Sequence, residues 1–162
     1  MKQLLTRFAF TRQSALHFSQ PVRGQLDETA AARTVERRAL PRRLCDRHDW
    51  RSPSIPCPDR QQLVEIVVIV AVGRVLVYGR IGNDCVPGSI SVARDYHRAG
   101  ADAVVAVLPS YYQLNEAEME SGLAFLAPGT LGHLLIYNIP DRTGMSIPLD
   151  VIDRLSALPD VV

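Results

Sequence analysis

The sequence predicts an α/β protein built on a parallel sheet. Three short apolar runs rich in branched residues are typical of strands buried on both faces, and they span residues 75–78, 103–108 and 134–137. Their centres lie about 28 to 30 residues apart, the length of a βαβ unit, and residues 160–162 resemble the start of a fourth strand. A βα barrel and a doubly wound sheet both fit this order. No glycine-rich dinucleotide turn follows a strand, which favours the barrel.

Helical patterns fill the intervals between these runs. They cover residues 59–73, 87–100, 115–126 and 146–155. In the third, Asn115 is a good N-cap because Glu118 follows three residues later, the spacing of a capping box. In the fourth, we expect Leu149, Ile152 and Leu155 to face the core.

The first third of the chain lacks this rhythm. We divide the sequence into an irregular Arg/Pro-rich region, residues 1–58, and a partial barrel, residues 59–162, with about three intact βα units. Residues 1–60 carry 12 basic and 6 acidic side chains, whereas residues 61–162 carry 6 and 11. Residues 37–58 show no strand or helix period, and a basic disordered arm is the simplest interpretation.

Composition excludes several classes of protein. Three cysteines in 162 residues argue against a disulfide scaffold and favour a reducing, cytoplasmic compartment. The longest apolar run falls short of the roughly 20 residues that span a bilayer, so we expect no membrane partner. A net charge of +1 and the lack of a recognisable module argue against nucleic acid. The spacing of Cys45, His48 and Cys57 fits no zinc pattern, and we expect no metal.

Three motifs in the second part of the chain resemble one known family. They are YNIPDRTG at residues 137–144, LPSYYQLNEAEM at residues 108–119 and IGNDCVPGSI at residues 81–90. From about Gln62 to Val162 the chain resembles the dihydrodipicolinate synthase and N-acetylneuraminate lyase family, whose members are pyruvate-handling class I aldolases on a (β/α)8 barrel. The resemblance therefore implies a partial barrel of this kind and a lyase-type reaction through a Schiff base.

The resemblance also implies roles for four residues. Tyr137 resembles the catalytic tyrosine that relays protons during imine formation. Tyr112 resembles the tyrosine that joins this relay across a dimer interface, and Tyr111 resembles its neighbour at that interface. Arg142 resembles the arginine that binds the carboxylate of the aldehyde substrate, because a guanidinium binds a carboxylate bidentately. The implied partners are pyruvate and an aldehyde, without a cofactor.

Several departures from the family's pattern bear on activity. The Schiff-base lysine is expected a few residues beyond Val161, and the only lysine of the sequence is Lys2. The Gly-Thr-Thr-Gly-Glu loop after the second strand is absent, Arg80 stands in place of a glycine, and Val86 in place of a threonine. We therefore expect this chain alone to be inactive. The alternatives are a gene remnant without activity and the neuraminate or sugar-acid lyase branch.

The partial barrel also bears on assembly. Homo-oligomers are typical of the family, but an open parallel sheet leaves unpaired edges and an exposed apolar face. We expect poor solubility or dependence on another chain, rather than the family's usual assembly.

A reading-frame hypothesis accounts for the missing loop. Residues 45–52, CDRHDWRS, can be encoded by codons that, read one base later, permit Ala/Val-Thr-Gly-Thr-Thr-Gly-Glu. Upstream, residues 25–38 resemble the family's first helix in the given frame. The hypothesis is that residues from about 38 to 58 are translated out of frame and that the frame is restored near Asp59.

The coding DNA tests this hypothesis. From codon 36 to some distance beyond codon 162, translation in all frames should show a GTTGE-like run in an alternate frame and a lysine-bearing strand beyond the last codon. An intact frame without any GTTGE-like run would contradict it, and the Arg-rich segment would then be a genuine part of the protein.

Overall fold

A computed structural model describes residues 42–45, 56–71, 76–82 and 84–162. Four strands alternate with helices along the chain. The strands are β1 (Arg42–Cys45), β2 (Leu76–Arg80), β3 (Ala103–Ala106) and β4 (His133–Ile136). The helices are α1 (Cys57–Ala71), α2 (Val86–Arg98), α3 (Glu116–Gly129), α4 (Pro140–Thr143) and α5 (Leu149–Ser156). This order confirms the βα rhythm predicted from the sequence.

The strands form one parallel sheet in the order β1-β2-β3-β4. Arg80 pairs with Val105, and Val105 pairs with Leu135, so the three central strands end at one edge of the sheet. A parallel bridge between Leu134 and Val161 begins a further strand beside β4, as the apolar run at residues 160–162 predicts. Consecutive parallel neighbours joined by helices are the arrangement of a βα barrel, and this chain forms part of one.

Strand β1 differs from the sequence-based expectation. Residues 37–58 were predicted to contain no strand, yet Arg42–Cys45 pairs in parallel with β2, from Arg42 opposite Leu76 to Cys45 opposite Gly79. The prediction was wrong here because the segment has neither alternation nor branched residues, whereas the backbone of β2 offers hydrogen-bond partners to any extended neighbour. The rest of residues 1–55 lies outside the described residues, and so does most of the proposed out-of-frame segment.

Helix α3 confirms its predicted cap. The Asn115 side chain accepts a hydrogen bond from the Glu118 amide at 2.9 Å, and the Glu118 carboxylate accepts from the Asn115 amide at 2.8 Å.

Helix α5 differs from the sequence-based prediction at one residue. Leu155 is buried and Ile152 is half-buried, but Leu149 is 80% exposed and Val151 occupies the inward position. Leu149 is the first residue of α5 and lies two residues before Val151, a rotation of about 200° that places it away from the core.

The main core lies between the sheet and the helices. Its fully buried members come from helices, from strands and from the residue that follows β2: Val64, Val77, Ile81, Tyr96, Val104, Leu134, Val151 and Leu155. Because side chains alternate along a strand, the strand residues next to these buried ones face the opposite side of the sheet, which is the interior of the barrel. Leu76, Tyr78 and Arg80 of β2 belong to that inner face, as do Val105 of β3 and Leu135 of β4.

Tyr96 packs directly on the backbone of β2. A Cβ atom placed on Gly79 would lie 2.3 Å from Cδ2 of Tyr96, closer than packed atoms approach one another. Gly79 therefore gives the aromatic ring its place against the sheet. At the other end of β2, Oδ2 of Asp102 accepts a hydrogen bond from the Val77 amide at 2.7 Å. Together these contacts hold α2 and the start of β3 against β2.

An ion network joins α3 to α5 on the outer surface. Arg154 donates from Nε and Nη2 to Glu120, each at 2.9 Å, and from Nη1 to Asp150 at 3.0 Å. The hydrogen bonds to Glu120 and then Asp150 raise the pKa of Arg154, and the hydrogen bond from Arg154 lowers the pKa of Asp150 below its usual value. The network therefore persists at neutral pH and weakens in acid as Asp150 is protonated.

Within the described ranges, no helix is long and apolar enough to cross a membrane.

Two glycine substitutions test the contact between α2 and β2. Gly79→Ala should destabilise the chain by about 1–3 kcal/mol, because the added methyl group collides with the buried Tyr96 ring. Gly122→Ala is the matched control, since nothing lies within 4 Å of the new Cβ in α3, and it should stabilise by about 0.5–1 kcal/mol. Chemical denaturation followed by circular dichroism measures both. Equal effects of the two substitutions would refute the packing argument.

Candidate active site

The candidate site lies at the carboxyl ends of β2, β3 and β4. The three motifs recognised in the sequence follow these strands, so the parallel order brings all three to one edge of the sheet. Hydrogen bonds between the loops hold this edge together. The Tyr112 hydroxyl donates to the Asp84 carbonyl at 3.0 Å, and the Leu114 amide donates to Sδ of Met145 at 3.0 Å. The loop after β3 is therefore attached to the loops on both sides of it.

Tyr137 follows β4 directly. Its amide donates to the Ala106 carbonyl at 2.9 Å, which continues the ladder between β3 and β4 by one residue. Ile136 packs against the main core, so alternation directs Tyr137 to the inner face of the sheet. Its side chain is half-buried. This is the position from which a phenol hydroxyl can serve chemistry at the mouth of a barrel.

Two polar side chains organise the loop after Tyr137. Asn138 accepts from the Ile147 amide at 3.2 Å and donates to the Ile147 carbonyl at 3.5 Å, which closes residues 139–146 into a loop. The Thr143 hydroxyl lies 3.1 Å from the Ile139 carbonyl and 2.9 Å from the Met145 carbonyl. The chain leaves α4 through Gly144 at φ +69°, a conformation that glycine adopts without strain. Asn138 and Thr143 belong to the YNIPDRTG motif, but sequence reasoning did not assign them a role.

Arg142 lies on helix α4 within the same loop. Its amide donates to the Ile139 carbonyl at 2.9 Å, and its side chain is exposed. The one-turn helix therefore presents a guanidinium to solvent near the mouth of the barrel. Such a group is available to bind an anionic part of an incoming ligand.

The two tyrosines of the loop after β3 differ in their surroundings. Tyr112 is 43% exposed and engages Asp84 of its own chain. Tyr111 is 87% exposed, an unusual exposure for a large aromatic side chain. The predicted roles of Tyr112 in a proton relay and of Tyr111 at an interface stay predictions. The structure places both residues at the site edge of the sheet.

Comparison with known proteins decides the family. The sequence profile of the dihydrodipicolinate synthetase family matches residues 52–162, which is more than half of the chain. The chain belongs to this family. The match contains all three motifs and β2 to β4, and it confirms the resemblance found in the sequence. The fold agrees as well, since the family's barrel is the architecture to which these βα units correspond.

Individual relatives agree with this assignment. The chain is 30% identical over 142 residues to a 4-hydroxy-tetrahydrodipicolinate synthase of Phenylobacterium zucineum, covering 86% of this chain and 48% of the relative. It is 35% identical over 104 residues to an N-acetylneuraminate lyase of Citrobacter koseri, covering 64% and 35%. A dihydrodipicolinate synthase of Acinetobacter baumannii, solved in complex with pyruvate, superposes with a TM-score of 0.79 at 21% identity over 84% of this chain and 48% of that one. The chain thus spans less than half the length of these relatives.

Replacement of Asn138 tests how the loop is held. In Asn138→Ala the Ile147 amide loses its acceptor and should exchange with deuterium about tenfold faster or more, since a hydrogen bond contributes about 0.5–1.5 kcal/mol and an orphaned group costs more. Asn138→Asp is the matched control, because a carboxylate oxygen still accepts from that amide. Hydrogen exchange measured by NMR distinguishes the two. Unchanged protection of Ile147 in Asn138→Ala would show that other contacts hold the loop.

Proposed function

We propose that the chain forms part of a pyruvate-dependent class I aldolase of the 4-hydroxy-tetrahydrodipicolinate synthase type, which condenses pyruvate with an aldehyde. The observation that supports this most is Tyr137 on the inner face at the end of β4, followed by a loop closed by Asn138. Membership of the family and the pyruvate bound to the Acinetobacter baumannii relative agree with this choice.

The proposed chemistry assigns Tyr137 a proton-transfer role. A lysine amine attacks the carbonyl carbon of pyruvate, and the resulting carbinolamine loses water to give an imine. Loss of a methyl proton then yields the enamine whose carbon attacks the aldehyde. The phenol of Tyr137 donates a proton to the departing oxygen, recovers one when the methyl proton is lost, and donates it to the aldehyde oxygen as the new carbon–carbon bond forms. Tyr112 joins this relay in the proposal, and the exposed Tyr111 provides part of an interface.

Arg142 is the proposed substrate-binding residue for the aldehyde. Its exposed guanidinium on α4 can form two parallel hydrogen bonds to a carboxylate. An aldehyde that carries a carboxylate, such as aspartate semialdehyde, fits this requirement and favours the synthase branch. The sugar-acid lyase branch is the alternative, because a relative from each branch matches the chain.

The proposed reaction needs a lysine amine, and we propose that this lysine lies outside residues 1–162. Lys2 is the only lysine of the sequence and lies outside the described residues. We therefore propose that residues 1–162 are inactive by themselves and take part in catalysis only where the remaining barrel strands and the lysine are also present. A cytoplasmic location is part of this proposal.

A gene remnant without activity is the second candidate. One structural observation favours it: β1 ends at Cys45, so the segment that can encode a GTTGE run in another frame directly follows the strand beside β2. If that run was lost through a change of frame, the chain lacks a loop that binds pyruvate in the family. The two candidates differ in whether any complex containing this chain forms an imine.

Borohydride trapping separates the two candidates. The full chain is incubated with pyruvate and sodium borohydride, alone and with a polypeptide comprising the part of the Phenylobacterium zucineum synthase that the chain does not match. We expect a reduced pyruvate adduct by mass spectrometry on the complementing polypeptide, only in the mixture. Tyr137→Phe should slow its formation by about a hundredfold, the usual contribution of a proton-transfer group.

The controls are the complementing polypeptide alone and the mixture without pyruvate. An adduct in the mixture that forms equally fast with Tyr137→Phe would remove the proposed role of Tyr137. No adduct in any mixture would favour the gene remnant.

A further inference from the structure

Gln113 lies between two anchored residues of the loop after β3. On one side the Tyr112 hydroxyl donates to the Asp84 carbonyl at 3.0 Å, and on the other the Leu114 amide donates to Sδ of Met145 at 3.0 Å. The backbone of Gln113 is therefore held in place, while its side chain is exposed. No residue of the described ranges forms a hydrogen bond or ion pair with its carboxamide. A polar group that is fixed at its base and unpaired at its tip is ready to bind a ligand.

The carboxamide of Gln113 extends over the end of α4. A Cβ atom placed on Gly144 would lie 3.4 Å from Nε2 of Gln113. The hydrogen bond between Leu114 and Met145 explains this approach, because Gln113 and Gly144 each come one residue before a bonded partner. Since a carbon–carbon bond adds about 1.5 Å, the nitrogen lies within roughly 5 Å of the Gly144 Cα atom.

Arg142 lies two residues before Gly144 on the same short helix. Its amide donates to the Ile139 carbonyl at 2.9 Å, which fixes its backbone, and its side chain is exposed. Within the part of the chain that the structure describes, its guanidinium has neither a hydrogen bond nor an ion pair. Cα atoms two positions apart in a helical turn are about 5.5 Å apart, so the Gln113 amide lies within roughly 10 Å of the Arg142 Cα atom. An extended arginine side chain and one small ligand can bridge this interval.

The two head groups differ in what they bind. A guanidinium binds a carboxylate through two parallel hydrogen bonds, which is the role proposed for Arg142. A carboxamide donates and accepts hydrogen bonds without a charge, so Gln113 suits an ammonium or hydroxyl group close to that carboxylate. An acid without such a group would leave the carboxamide unused. A site that hydrogen-bonds a polar group of its substrate discriminates against analogues that lack the group.

We propose that Gln113 is a specificity-determining residue of the candidate site and hydrogen-bonds an ammonium or hydroxyl group on the carbon next to the carboxylate that Arg142 binds. The proposal rests on the proposed function, in which Arg142 binds the aldehyde substrate, and it adds a second group that distinguishes one aldehyde from another. It concerns noncovalent binding, so the chain can be tested without a lysine donor.

Three acids that carry an alcohol in place of the aldehyde serve as probes. Homoserine has an ammonium group on carbon 2, 2,4-dihydroxybutyrate has a hydroxyl group there, and 4-hydroxybutyrate has neither. In the ¹⁵N-labelled full chain, the side-chain amide resonances of Gln113 are identified as those that disappear in Gln113→Leu. At least one of the 2-substituted acids should shift them in a saturable way, whereas 4-hydroxybutyrate should leave them in place. The acid that shifts them identifies the group that is recognised. No response to either 2-substituted acid, or an equal response to all three acids, would overturn the proposal.

Substitutions test the same arrangement through dissociation constants. Gln113→Leu keeps the size of the side chain and should weaken the preferred 2-substituted acid by about three- to tenfold, the usual effect of losing one hydrogen bond. Its affinity for 4-hydroxybutyrate should not change. Arg142→Gln should weaken all three acids by about tenfold or more, because the carboxylate loses its charged partner. The matched control is Gln62→Leu, which alters an exposed glutamine of α1 and should bind all three acids like the unaltered chain.

The outcomes also separate Gln113 from its charged neighbourhood and from the proposed function. A preference that survives in Gln113→Leu but disappears in Asp141→Asn would assign it to the exposed Asp141 beside Arg142 and overturn the role of Gln113. The trapping experiment uses pyruvate without an aldehyde, so an adduct there without a Gln113-dependent preference would support the aldolase proposal and overturn this one. A Gln113-dependent preference without any adduct would support the binding role and contradict the catalytic function.

Discussion

The shared register of β2, β3 and β4 is the constraint on which the site depends. Because the pairs run from Arg80 through Val105 to Leu135, the three strands end at the same level, and the loops that follow them start side by side. Residues separated by more than fifty positions in sequence, such as Gly82 and Tyr137, thereby fall into one row. A shift of one residue in β4 would exchange its inner and helix-facing side chains and turn Tyr137 away from the inner face.

The helices maintain this register from the outer side of the sheet. Tyr96 lies against Gly79, and Asp102 binds the amide of Val77, so α2 and the turn after it hold both ends of β2. On the site side, the bonds from Tyr112 to Asp84 and from Leu114 to Met145 join the three loops. The site therefore depends on loops that support one another, each attached to a strand end whose position is determined by the core.

The same geometry explains why a partial barrel carries a recognisable site. In a βα barrel the end of each strand and the loop after it contribute residues to the mouth, so a few strands contribute only part of the site. Here those strands bring a phenol, a guanidinium at the end of β2 and a second guanidinium on α4. The chain matches less than half the length of the relatives described above, and the proposed amine belongs to the remainder. Tyr137 lies on the inner face of the sheet, which in a βα barrel is the interior.

The sequence by itself determined the class of fold, the strands β2 to β4, the capping box of α3 and the motifs of the site, because these depend on local periodicity and on short runs of specific residues. Tertiary structure alone decided three other features. Strand β1 forms through pairing with β2 and not through its own propensity, Leu149 faces solvent because α5 turns Val151 and Leu155 toward the core, and Asn138 acts through Ile147 nine residues away. Arg80 shows the same division: its identity is evident in the sequence, but its place on the inner face beside Val105 follows from strand register, a property of the assembled sheet.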